Sequence, residues 1–164
     1  MLDAKSVSTP LPTDHDLKLL YGTALTDATE FRQVIGALQY LSFTRPDIAF
    51  AVNKLAQFMH RPMTGHWSLA KRLMQYLRGT ISHGLLLCRD SPISLHAYSN
   101  ADWVDNKDDR TFTSAYVIFL GSNVISWCSR KQRTVARSST EAEYRAIAHT
   151  TAEVIWISDR KSVV

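Results

Sequence analysis

Cysteine, glycine-rich loops and long apolar runs are scarce in this sequence of 164 residues. The two cysteines, Cys88 and Cys128, lie far apart and lack metal-ligand spacing, which indicates neither a disulfide framework nor a zinc site. A reducing, intracellular compartment is therefore expected. The N-terminal stretch lacks the apolar core of a signal peptide, and no apolar run is long enough to cross a bilayer. We therefore expect a soluble protein with no membrane partner.

The sequence also contains no glycine-rich phosphate-binding loop and no nucleophile-elbow motif. The chain is nevertheless 45% hydrophobic, which is enough for a core, and its length suits one domain or two small units. Its formal net charge of +4 permits binding to a polyanion but does not require it.

The first part of the chain has a helical pattern. Residues 1–25 contain prolines and small polar residues without periodicity, which predicts an irregular leader. Residues 26–80 then show apolar residues at intervals of three or four, and this spacing predicts a small three-helix bundle with short connections. The predicted apolar stripes are Phe31, Ile35, Leu38 and Leu41; Ile48, Val52, Leu55 and Met59; and Trp67, Leu69 or Ala70, Leu73, Met74 and Leu77.

Residues 81–164 follow a strand-like pattern and end in a helix. Predicted strands are Gly84–Cys88, Ile93–Tyr98, Thr113–Leu120 and Val124–Cys128, with a hairpin turn at residues 121–123. Ser138 to Glu143 resemble a capping box that opens the final helix. The predicted fold class is α+β, with a boundary between the two units near residues 79–92.

Acidic and amide side chains meet at the end of one predicted strand. In LHAYSNADW, Asn100 and Asp102 lie on the same face, roughly 6–7 Å apart along the strand. The following helix can add Glu141 or Glu143, and such oxygen ligands suit Mg²⁺. Capping and the helix dipole explain the two glutamates equally well, so both interpretations remain open.

A basic segment separates the predicted sheet from the last helix. It contains Arg130, Lys131, Arg133 and Arg137, which could bind a nucleic-acid backbone with release of counterions. A solvated loop is the alternative interpretation of this segment.

Two series of motifs resemble the Pol polyproteins of copia-type retrotransposons. The first comprises FRQVIGALQYL, TRPDIAFAVN, HW, KR, YLRGT and HGL between residues 31 and 85, and it resembles the family's reverse transcriptase thumb and connection region. The second comprises YSNADW, DDR, ISW, KQ and SSTEAEY between residues 98 and 144. It resembles the N-terminal part of the family's ribonuclease H domain, which implies a truncated ribonuclease H-like α/β unit in residues 81–164.

The resemblance implies a ribonuclease H that removes RNA from RNA/DNA hybrids during reverse transcription, using two Mg²⁺ ions held by carboxylates. The family's first catalytic Asp falls on Asn100 and its helix Glu on Glu143, with Asp102 as a further metal-ligand candidate. An amide lacks the negative charge that holds two divalent ions together. The family's chain continues into a strand with another metal-binding Asp, whereas this sequence leaves the pattern at Ser158. The family's polymerase catalytic aspartates would lie upstream of residue 1. Neither the polymerase nor the ribonuclease H active site is therefore expected to be complete.

Three functional hypotheses follow. The first is an enzyme, a ribonuclease H that acts on RNA in an RNA/DNA hybrid with Glu143 and Asp102 as the surviving metal ligands. The second, which we favour, is a Pol fragment resembling ribonuclease H that is catalytically inactive, has Asn100 at the first metal position, and binds nucleic acid through Arg130, Lys131, Arg133 and Arg137. The third is a module that pairs with a separate polymerase chain, the remainder of a Pol polyprotein.

Overall fold

The computed structural model describes residues 5–12, 17–24, 27–103 and 111–161. The chain forms two compact units, Met1–Gly84 and Leu85–Val164. Within the described residues, four α-helices accompany one three-stranded antiparallel sheet, which confirms the α+β class. A helix follows the sheet, an order consistent with a truncated ribonuclease H-like unit.

The first unit is built on three α-helices: α1 (Thr29–Leu41), α2 (Ala49–Ala56) and α3 (Thr64–Gly79). A short 3₁₀ helix, Pro46–Ile48, precedes α2, because the fixed φ of proline suits a first helical position. Most residues of the predicted stripes converge on one apolar core, but Leu41 is exposed and Met74 lies outside the cluster. The core also contains Leu11, Ala51 and Tyr76, which the prediction did not include. Its most deeply buried members are Phe31, Ile35, Ile48, Ala51, Leu55, Ala70 and Leu73.

The ends of α1 are set by local hydrogen bonds. The Asp27 carboxylate accepts the Thr29 backbone N–H at 2.8 Å and satisfies a donor that the helix leaves unpaired. At the other end, Phe43 N–H donates to the Tyr40 carbonyl, a tighter three-residue turn. The helix therefore ends at Leu41.

An ion pair ties the start of the second helical segment to the end of α3. The Arg45 guanidinium donates two hydrogen bonds to the Asp47 carboxylate, at 2.8 and 2.7 Å, and others to Thr80. Tyr76 Oη donates to the same carboxylate at 2.9 Å. These donors hold the pKa of Asp47 below its usual value, the Arg45 hydrogen bonds being the largest cause. Arg45 is buried, and its hydrogen bonds hold the start of the second helical segment against the end of α3.

The described part of the leader has no helix or strand, yet it packs against α3. Leu11 is buried in the core of the unit, and Ala24 forms a β-bridge with Met63. Thr64 N–H donates to the Thr23 carbonyl at 2.8 Å, so the chain before α1 satisfies backbone donors at the start of α3.

His66, in the first turn of α3, is fully buried and neutral. Its Nδ1 accepts the Met63 N–H at 3.1 Å, so the proton lies on Nε2, which donates to the Lys18 carbonyl at 2.9 Å. The ring stacks on Phe58 with 3.9 Å between centroids. Burial lowers the pKa of His66 from its ordinary 6.5, because the charged form is poorly solvated there.

The second unit consists of strands β1 (Leu95–Asp102), β2 (Thr113–Leu120) and β3 (Asn123–Lys131) followed by α4 (Ser139–Lys161). The strands are antiparallel in the order β1-β2-β3. The hairpin between β2 and β3 turns at Gly121, whose φ of +59° is readily adopted by glycine.

The predicted strand Gly84–Cys88 is wrong. Residues 83–88 have no strand structure, and Leu86 and Leu87 are 80% and 71% exposed. The Asn123 side chain accepts the Cys88 N–H and donates to the Cys88 carbonyl, and this side-chain pairing replaces a backbone ladder. Alternation was absent from this run, and an apolar run alone does not distinguish a strand from a loop.

Replacing Asp47 with Asn should destabilise the first unit by about 2 kcal/mol, because it leaves the buried Arg45 without its counter-charge. Hydrogen exchange of α3 amides measures the loss, with Glu30→Gln as a control that removes an acidic charge from the first turn of α1. An effect of Asp47→Asn no larger than that of the control would contradict this role.

The stability of the first unit should fall as pH is lowered through the unfolded-state pKa of His66, about 6.5. The folded-state pKa is depressed, so on lowering the pH the unfolded state binds the proton first, and this binding lowers the free energy of the unfolded state. The contribution of His66 to stability is full above the unfolded-state pKa and is lost as the pH falls towards the folded-state pKa. Urea unfolding between pH 8 and 5 checks the trend, and His66→Gln should flatten it.

Candidate functional site

Small side chains bring α4 close to the edge strand β1. Ala142 is completely buried in a cluster with Phe112 and Ala136, and Ala101 of β1 packs against that cluster. The Trp103 indole N–H also donates to the Ala136 carbonyl at 2.9 Å. The end of β1, the loop before α4 and the first turn of α4 therefore form one packed corner.

The corner determines where the predicted metal positions lie. Because strand side chains alternate and Ala101 faces α4, Asn100 and Asp102 lie on the opposite face of the sheet. Both are exposed, opposite Ala115 and Thr113 of β2.

Glu143 follows Ala142 directly and is exposed on α4. Asn100 likewise adjoins Ala101, but its side chain lies on the face of the sheet opposite α4. The described contacts therefore do not bring Asn100 and Asp102 together with Glu143.

Glu141, the other glutamate of this turn, is engaged elsewhere. Its carboxylate accepts the Arg137 backbone N–H at 2.7 Å and the Arg145 guanidinium at 2.6 Å. The Arg137 hydrogen bond is the largest cause that holds the pKa of Glu141 below its usual value. The predicted capping box is half present: Ser138 Oγ accepts the Glu141 N–H, but the carboxylate reaches back to Arg137.

The four predicted basic residues do not share one loop. Arg130 and Lys131 belong to β3, and consecutive strand residues point to opposite faces. Arg133 and Arg137 are exposed in the connection that follows, residues 132–138. Sequence reasoning missed Arg145, although its spacing of four residues from Glu141 is a recognised helix ion-pair signal.

Arg130 lies at a polar cavity of about 110 Å³ between the sheet and α4. His149 and Glu153 line it from the helix, and Tyr116 and Cys128 line it from the strands. Burial raises the pKa of both Tyr116 and Cys128. Glu153 therefore gives Arg130 a partly acidic environment.

Comparisons with known proteins identify relatives over nearly the whole chain. It is 52% and 53% identical, over 157 residues each, to the retrovirus-related Pol polyproteins from transposons RE2 and RE1 of Arabidopsis thaliana. It is also 46% identical over 165 residues to an uncharacterized mitochondrial protein of that plant, covering 99% of this chain and 67% of that protein. The chain belongs to the copia-type, retrovirus-related Pol polyprotein family.

This Pol-family chain spans 11% of the length of each of the two Pol polyproteins. No protein-family model matches it, and no solved structure matches it. Among the described residues, no helix combines the length and apolar character that a membrane span requires.

The described residues do not fit a two-magnesium site. The candidate positions supply one neutral amide, Asn100, and two carboxylates, Asp102 and Glu143, and the strand residues face away from the helix that carries Glu143. Within the ranges that the structure describes, no group of three His, Cys, Asp or Glu side chains is arranged to hold a metal ion. A pair of divalent ions needs several negative charges at close range, and this donor set supplies too few.

Proposed function

We propose that the second unit of this Pol-family chain is a ribonuclease H-type unit that binds the backbone of an RNA/DNA hybrid without cutting the RNA strand. The observation that carries the proposal is Asn100, an exposed amide on the edge strand where the resemblance implies the first metal-binding carboxylate. The YSNADW motif around Asn100 supports the family relationship, whereas the uncharged amide of Asn100 argues against catalysis.

The chemical reason is the charge of the donor set. Two-metal hydrolysis needs anionic ligands that hold one ion for the attacking water and one for the departing oxygen. Asn100 can donate an oxygen to a cation but adds no charge. Mg²⁺ binding at Asp102 and Glu143 is therefore expected to be weak, and no catalytic step is assigned to it.

Arg133 and Arg137 are assigned to the phosphate backbone. Both are exposed in the 132–138 connection beside the corner formed by β1 and α4. Cationic side chains bind phosphates by releasing condensed counterions, so the interaction requires no base sequence. Arg130, beside Glu153 at the cavity, and Lys131, on the other face of β3, are expected to contribute less.

An RNA/DNA hybrid with labelled RNA should remain intact with this chain in either Mg²⁺ or Mn²⁺. The missing negative charge at residue 100 is the physical reason. Gel analysis of the labelled strand measures cleavage. Turnover that disappears in Glu143→Gln would show that the site works despite Asn100.

Asn100→Asp should restore one anionic ligand and raise Mn²⁺ affinity by about tenfold, since hard oxygen ligands with charge favour divalent cations. Electron paramagnetic resonance of free Mn²⁺ measures binding, and Asn100→Ser is the matched neutral control. Equal affinity in the two variants would mean that residue 100 does not face a cation site.

Hybrid binding should weaken with salt, and the double variant Arg133→Gln/Arg137→Gln should reduce the slope of log K against log salt by about 1.8. Fluorescence anisotropy in EDTA measures this without metal. Arg130→Gln/Lys131→Gln is the matched comparison, with the same loss of charge. A larger effect of that pair would reverse the assignment, and binding insensitive to salt would contradict backbone recognition.

A second candidate is a module that pairs with a separate polymerase chain from the same polyprotein. The observation favouring it is β1, which lies at one edge of the described sheet and has no described strand on its outer side. An edge strand offers unpaired backbone donors and acceptors to another chain. Co-purification with a Pol-derived polymerase chain, lost on Tyr98→Pro in β1, would favour this function over hybrid binding.

A further inference from the structure

Two side chains of α4, Glu141 and Arg145, form hydrogen bonds to the two ends of residues 134–137. This stretch lies in the connection before the helix. The Arg145 guanidinium donates to Thr134 Oγ1 at 2.6 Å and to the Glu141 carboxylate at 2.6 Å. The other Glu141 oxygen accepts the Arg137 N–H at 2.7 Å. These bonds form a continuous chain from Thr134 through Arg145 and Glu141 to Arg137, here called the loop clamp.

The middle of the stretch is held as well. Ala136 is 2% exposed, its side chain packs in the Ala142 cluster, and its carbonyl accepts the Trp103 indole N–H. A surface connection usually satisfies its backbone groups with water and moves freely. Here the connection is held at Thr134, Ala136 and Arg137, while the Arg133 and Arg137 side chains remain exposed.

We propose that Glu141 is a positioning residue, which acts with Arg145 to hold residues 134–137 so that Arg133 and Arg137 are presented to the phosphate backbone in a fixed arrangement. The inference rests on the proposed hybrid binding and deepens it. A carboxylate beside a phosphate-binding surface otherwise opposes binding by repulsion. Glu141 offsets that repulsion by removing the ordering cost of the connection, because preorganised groups lose less entropy on binding.

The sign of the effect of Glu141→Ala distinguishes positioning from simple charge. If charge alone mattered, removing a negative residue would tighten binding to a polyanion. If Glu141 positions the arginines, the variant should bind the hybrid about fivefold more weakly, with an unchanged salt slope because the phosphate contacts are kept in number. Asp159→Asn, which removes a negative charge farther along α4, is the matched control and should bind as tightly as the original chain or more tightly.

The test combines two measurements on the full chain. Anisotropy with an RNA/DNA hybrid in EDTA, over a salt series, gives affinity and slope. Limited trypsin digestion with mass spectrometry reports cleavage after Arg133 and Arg137, which should be about tenfold faster in Glu141→Ala, since charge-assisted hydrogen bonds restrain local opening. Arg145→Ala should accelerate the same cleavages, and Asp159→Asn should not.

Each outcome decides a separate statement. Faster cleavage with weaker binding and an unchanged slope supports the positioning role. Equal or tighter binding by Glu141→Ala overturns it, even when cleavage is faster. Unchanged cleavage overturns the loop clamp itself. Absence of salt-dependent hybrid binding by the original chain contradicts the proposed function, while the trypsin measurement still reports on the loop clamp.

Discussion

The close packing of Ala142 against the end of β1 is the contact on which the second unit depends. The small methyl group at this position lets the helix approach Ala101, Phe112 and Ala136 closely. That approach places the first turn of α4 beside both the edge strand and the preceding connection. A larger side chain at residue 142 would move the helix and separate every candidate group discussed above.

The same contact explains why two neighbouring glutamates have different roles. Glu141 and Glu143 lie on either side of Ala142, and a helix turns about 100° per residue. Glu141 consequently faces the 132–138 connection, where Arg137 and Arg145 bind it. Glu143 is exposed and makes no such contact with that connection in the described hydrogen bonds. A sequence pattern that places both in one first turn does not separate these two environments.

The first unit depends on a comparable local constraint. Arg45 is buried because Asp47 and Thr80 accept its hydrogen bonds, and Tyr76 donates to the same Asp47 carboxylate. A buried cation without partners would be strongly unfavourable. His66 follows the same rule as a neutral ring with both nitrogens bonded. Buried polar groups of this kind specify one arrangement of the chain, since few alternative packings satisfy them all.

The sequence by itself determined the α+β class, most residues of the three helical stripes, the hairpin and the family, because periodicity and motif order are properties of the chain alone. It also located Asn100. Only the tertiary structure decided that Gly84–Cys88 is not a strand, that Arg130 and Lys131 face opposite ways, and that Glu141 binds Arg145 and Arg137. The physical reason is that the missing strand and the Glu141 hydrogen bonds depend on contacts with other segments, and the facing of Arg130 and Lys131 depends on which residues of β3 turn towards the helix. A local sequence pattern shows neither.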